Sequence, residues 1–133
     1  MAYRLERENS TKIELEVGGE TLSIPVGGMS LYRRVLDAQG RLKDIQTKID
    51  NMTKADNPVT QELVEYLGET VLYLFNTAFG KENTDKIVAF YEGNYDEMLL
   101  KVYPFFIQHF LPALKNSAKS ESQEYAKRIS GAS

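Results

Sequence analysis

The chain of 133 residues has no cysteine and a single histidine. The first absence excludes disulfides, zinc–thiolate sites and thiol nucleophiles together. The second leaves any metal site near His109 to carboxylates alone, and the sequence nominates neither a nucleophile nor a partner base for a catalytic histidine. His109 stands among Phe106, Phe110 and Leu111, the setting of a core-edge or surface histidine rather than a ligand. Long apolar runs are missing too: charge or proline interrupts each within a few residues, so no transmembrane helix fits. Met1 to Ser10 mixes charges of both signs with no apolar stretch behind them, unlike a signal peptide. An intracellular, soluble protein is therefore expected, in which the sequon-like Asn9-Ser10-Thr11 and Asn51-Met52-Thr53 are chance matches.

A basic excess is lacking as well. The net charge is -3, and each cluster of Lys or Arg has acidic neighbours, which disfavours nucleic acid as a partner. The glycine pairs Gly18-Gly19 and Gly27-Gly28 lack the context of a phosphate-binding loop, so they are turn glycines. Asp85, Glu92, Asp96 and Glu97 surround a turn, but their spacing is not that of a calcium loop, and helix capping accounts better for Asp96 and Glu97. No cofactor, metal or small-molecule substrate is implied, and an enzyme is the least supported class for want of a catalytic set.

What is present is enough for one fold. Hydrophobic content of 42% and charge of 26% are ordinary globular values. A chain of this size buries roughly two-thirds of its unfolded surface without metal or crosslinks. Residues 12–25 alternate apolar and polar on both sides of Gly18-Gly19, the pattern of a β-hairpin whose tight turn needs positive φ. Ile13, Leu15 and Val17 face one way, with Leu22 and Ile24 as partners. A lone hairpin is marginal in water, so it packs on helices or joins strands of another copy.

From Ser30 the period changes. Leu31, Val35, Ala38, Leu42, Ile45, Ile49 and Met52 recur at spacings of four and three along a long first helix. The commoner reading of that seam is packing on the domain's own helices; the sharper one is a seam shared between subunits. Asn57-Pro58 reads as a cap followed by proline at the first position of a second helix, which Gly80 stops. Asn83 or Thr84 caps a short third helix, and Asn94 with Glu97 caps the last. Pro104 predicts a kink or break near Tyr103, with Pro112 repeating the effect.

The expected fold is mainly α with a small N-terminal β-hairpin: a bundle of about four helices with a long first helix. Residues 1–11 are expected to be a flexible N-terminus, 12–114 a single domain, and 115–133 a polar C-terminal tail, a frayed helix or a disordered segment, because Tyr125 and Ile129 are its only sizeable apolar groups. Tyr91, Tyr95, Tyr103, Phe105, Phe106 and Phe110 supply core more often than binding surface. Even so, Phe105-Phe106-Ile107 makes the last helix apolar nearly all round, and some of its cover is expected from another molecule.

The stretch Leu74-Phe75-Asn76-Thr77-Ala78-Phe79-Gly80-Lys81-Glu82-Asn83-Thr84-Asp85-Lys86-Ile87, followed by Phe90-Tyr91-Glu92-Gly93-Asn94-Tyr95-Asp96-Glu97-Met98 and Val102-Tyr103-Pro104-Phe105, resembles the small tail assembly chaperones of siphophages and related prophages of Gram-positive bacteria. The resemblance covers roughly residues 12–114. It implies a mostly helical, non-enzymatic protein of the bacterial host's cytoplasm that binds the tape measure protein and keeps it soluble while the tail tube assembles. It further implies self-association, absence from the mature virion and, in some members, a longer frameshifted form. A structural minor tail or connector protein and a small regulatory protein-binding module are the alternatives. Helix-in-groove binding of a helical client needs apolar grooves. The partner-binding residues expected on this basis are Leu31, Val35, Leu42, Ile45, Ile49, Phe105, Phe106, Phe110, Leu111 and Leu114.

Overall fold

The computed structural model describes residues 11–130. The expected flexible N-terminus, up to residue 10, and residues 131–133 of the expected tail lie outside the described residues. Two strands, β1 (Thr11–Val17) and β2 (Glu20–Val26), form an antiparallel hairpin. The helices α1 (Met29–Lys54), α2 (Gln61–Phe79) and α3 (Lys81–Phe90) follow. A last rod consists of α4 (Tyr95–Phe105), a π turn (Phe106–Phe110) and α5 (Leu111–Ile129). The protein is thus mainly helical, with four helical rods and a small N-terminal hairpin, as its sequence periods imply.

The hairpin turns where the glycine pair predicts. Gly18 and Gly19 have φ of 58° and 82°, the two positive angles of the turn whose twist matches paired strands. Leu15 stands opposite Leu22 and Ile13 opposite Ile24. Leu22, Ile24 and Val26 are fully buried, while Ile13, Leu15 and Val17 are half-buried at the margin of the core. The Phe90 ring covers the turn so closely that a Cβ on Gly18 would come within 2.9 Å of its Cδ2.

The middle of the α1 seam packs inward. Val35, Ala38, Leu42 and Ile45 are buried, and α1 lies along α2 and α5. Gln39 is buried beside them, and its Nε2 donates to Tyr103 Oη at 3.1 Å. No glycine closes α1; Asp56, at φ 57°, makes the reversal and lets the Asn57 N–H reach the Met52 carbonyl.

Three local expectations are corrected. Helix α2 begins three residues beyond Pro58, because Thr60 Oγ1 accepts from the Leu63 N–H and supplies the cap that Asn57 was expected to give. Neither Asn83 nor Thr84 caps α3. Gly80 is the shared junction: its φ of 86° ends α2 and opens α3, which leaves Asn83 free to donate to the Phe79 and Ser23 carbonyls. The chain after Leu114 is helical to Ile129 rather than a disordered tail. Leu114 and Ala118 are buried, and the Gly28 N–H donates to Ser117 Oγ at 3.4 Å, so tertiary contact orders the first turns of a polar helix. From residue 121 to residue 130 every side chain is exposed. The cap at Asn94 stands as expected, its Oδ1 accepting from the Glu97 N–H.

Pro104 does not break the last rod near Tyr103. The α-helix runs on to Phe105, and the ladder then widens into the π turn, with the Leu111 N–H reaching the Phe106 carbonyl. The reason lies in the spacing of the core residues. Met98, Val102, Phe106, Phe110, Leu114 and Ala118 are all buried, each four positions from the last. An α-helix turns once in 3.6 residues, so steps of four drift by about 40° each and five of them would carry the stripe about 200° round the rod. A wider π turn, in effect one inserted residue worth about 100°, takes up about half of that drift. Proline at 104 and 112, lacking N–H groups, already removes two donors of the α ladder on either side of it.

The core centres on Phe79. Its ring meets Phe110 edge-on at 5.2 Å and lies 5.3 Å from Phe75 and 6.4 Å from Phe106, separations at which aromatic pairs attract beyond simple burial.

Candidate partner-binding surface

The residues expected to bind partners divide sharply. Val35, Leu42, Ile45, Phe106, Phe110 and Leu114 are buried in the chain's own core. In this conformation they hold the helices together and present nothing to another molecule. Leu31, Ile49, Phe105 and Leu111 are half-buried, and of these Leu31, Phe105 and Leu111 pack against the core. Ile49 has a different setting: it lines an open groove with Gln46 and Asp50 of α1, Leu67 of α2 and Leu99 of α4, with a volume of about 410 Å³.

The groove brings three aliphatic side chains from three helices to one place, rimmed by one amide and one carboxylate. Such a site takes a few apolar side chains and offers polar groups to orient them. Other apolar groups stand clear of the core. Leu100, next to Leu99 in sequence, is 74% exposed, and Phe90 and Tyr66 are about half exposed at 52% and 50%. Tyr73 is exposed too, under the Arg41 guanidinium, which sits 4.9 Å from its ring centre. Single exposed apolar residues are ordinary; the groove is a feature of another kind, because it gathers apolar flanks of three helices.

The sequence did not single out Leu67, Leu99 or Leu100. Leu67 continued the apolar face of α2 and Leu99 that of the last helix, and only the packing of three helices shows that their outer flanks meet Ile49.

The ionisable groups do other work. His109 is exposed, its ring 5.9 Å from Phe105. Asp85 pairs with Lys81 at 3.0 Å within α3, and Asp96 and Glu97 occupy the first turn of α4, where negative charge is favoured. Among the described residues, no three His, Asp or Glu side chains group as metal ligands. Lys86 reaches Glu20 at 2.8 Å and ties α3 to the hairpin. Its pKa is raised by the hydrogen bond to the Glu20 carboxylate and by that carboxylate's charge. Partial burial raises the Tyr91 phenol, with a smaller push from the charge of Glu97. No helix among the described residues is long and apolar enough to cross a membrane.

Compared with models of known protein families, with curated proteins and with solved structures, the chain matches none.

Proposed function

We propose that this chain is a tail assembly chaperone of a siphophage or related prophage. It binds the tape measure protein and keeps it soluble during tail-tube assembly, associates with copies of itself, works in the bacterial cytoplasm and is left out of the mature virion. It makes and breaks no covalent bond. The observation that carries the reading is the resemblance, which covers roughly residues 12–114 and rests on residues 74–87, 90–98 and 102–105, supported by where those residues fall. They fall on the end of α2, on α3 and on α4, and they include the half-exposed Phe90 and flank Leu99 and Leu100, the first on the groove and the second exposed. The physical mode is side-chain capture from a helical client by an apolar groove, with charged residues keeping the remaining surface soluble.

The test is co-purification of the tagged full chain with a tape measure protein, followed by mass spectrometry of finished particles. Stable capture of the client, with the chain absent from particles, is the expected result. Recovery of the chain in stoichiometric amounts from finished particles overturns this reading in favour of a minor tail or connector protein.

A further inference from the structure

We propose that the outer edge of β1 pairs antiparallel with β1 of a second copy, in the register that sets Ile13 opposite its own symmetry mate. This deepens the self-association in the reading above by naming the surface and the register. The test below concerns that contact and not the client.

A two-residue turn fixes which backbone groups are spent. Val17 and Glu20 close the turn and exchange hydrogen bonds, so the odd-numbered residues of β1 bond to β2 and the even-numbered ones aim their N–H and C=O groups the other way. The far edge of β2 confirms the alternation: Ser23, paired with Glu14, turns its carbonyl outward to the Asn83 side chain at 3.2 Å. The β2 edge is met by α3, whereas among the described residues no strand pairs with the outer edge of β1. That edge is seven residues long, with neither proline nor bulge in β1; what guards it is the charge of Lys12, Glu14 and Glu16, which only a partner of matching charge can meet. The backbone groups of Lys12, Glu14 and Glu16 are therefore the ones offered.

Charge selects the register. Outward-facing residues must pair with outward-facing residues, and three such antiparallel registers overlap the strand by five residues or more. Centred on Glu14, the register pairs Lys12 with Glu16 twice but sets the Glu14 carboxylate against its own copy. Centred on Leu15, it sets Glu14 against Glu16 twice. Centred on Ile13, it sets Lys12 against Glu14 twice and opposes no like charges, since Glu16 lies beyond the five residues that pair. The same register places two half-buried Ile13 side chains together on the inner face and extends the apolar cover of the hairpin.

The absence of native cysteine makes the contact readable. In a non-hydrogen-bonded antiparallel pair the Cα atoms lie about 4.5 Å apart, within disulfide range. Full-length protein carrying Ile13→Cys is expected to form a covalent dimer on mild oxidation, whereas Leu15→Cys, opposite Thr11 of the other copy, stays uncrosslinked. Sedimentation supplies a measurement free of cysteine. Lys12→Glu should weaken the dimer roughly tenfold by setting like charges in both pairs, and adding Glu14→Lys should restore it, because the pairs are then re-formed in reverse. Crosslinking through Leu15→Cys instead, or no rescue by the double variant, overturns the register while leaving self-association standing. A chain that stays monomeric and uncrosslinked overturns the contact itself.

Discussion

Gly68 in α2 lies against the ring of Tyr95, the first residue of α4: a Cβ on Gly68 would sit 2.8 Å from Tyr95 Cδ2. Glycine inside a helix costs about 1 kcal/mol relative to alanine, and here it allows α4 to start hard against α2. Gly40, in α1, has nothing within 4 Å of the same position. The two glycines should therefore respond oppositely to one substitution. Gly40→Ala is expected to stabilise by up to about 1 kcal/mol, and Gly68→Ala to destabilise by about 1–2 kcal/mol as the ring is forced aside. Urea unfolding of both variants checks the pair.

Thr84 Oγ1 is buried without a hydrogen-bond partner, in a side chain with no exposed surface. Leaving such a group unsatisfied costs about 1–3 kcal/mol, and an apolar group of the same shape removes the penalty. Thr84→Val is expected to raise the unfolding midpoint. Thr70 is the control: its Oγ1 donates to the Tyr66 carbonyl at 2.8 Å, so Thr70→Val should give no such gain.

The π turn can be tested by removing it. A single deletion at exposed Gln108 or His109 shortens the step between Phe106 and Phe110 and lets the rod become a plain α-helix, with the flanking core residues near their present directions. That variant should remain folded and unfold cooperatively. Deleting exposed Lys115 instead rotates all that follows by about 100° and swings Ala118 out of the core; its midpoint should fall below that of the first deletion.

Alkaline pH should weaken the tie between α3 and the hairpin. Lys86, held by Glu20, and Tyr91, held by burial, both keep their protons to higher pH in the folded chain than their ordinary values of 10.5 and 10.0. The folded state binds more protons in that range, so each contribution is whole below the ordinary value and is lost as pH rises through the raised one. Stability is expected to fall above pH 10.0. Lys86→Met should flatten part of the fall, and that part should shrink at high salt because the Lys86–Glu20 pair is solvent-exposed.

Much of the architecture was legible because it rests on local rules. Period-two alternation about Gly18-Gly19 specified the hairpin and its register, and Asn94 with Glu97 specified the start of α4. One local signal misled: Asn57-Pro58 suits a helix start, but the Thr60 hydroxyl supplies the cap by reaching the Leu63 N–H. The order of α5 depends on Ser117 and Glu121 meeting Gly28, a contact between distant parts of the chain that composition does not encode. The π turn did leave a mark, the unbroken spacing of four from Met98 to Ala118, which a straight α-helix cannot keep on one face. The partner surface was the least legible part. Periodicity marks the apolar residues of a helix, but packing decides that Leu42 and Phe106 are sealed in while Ile49, Leu67 and Leu99 line a groove.

Client binding is the central claim, and the most direct measurement is the soluble fraction of a tape measure protein expressed alone, with this chain, and with its Leu100→Asp/Leu99→Asp variant, provided the variant's unfolding midpoint shows that it is folded. The account predicts a marked rise in soluble client with the native chain and loss of that rise with the variant. An unchanged soluble fraction in the presence of the well-folded native chain would contradict it.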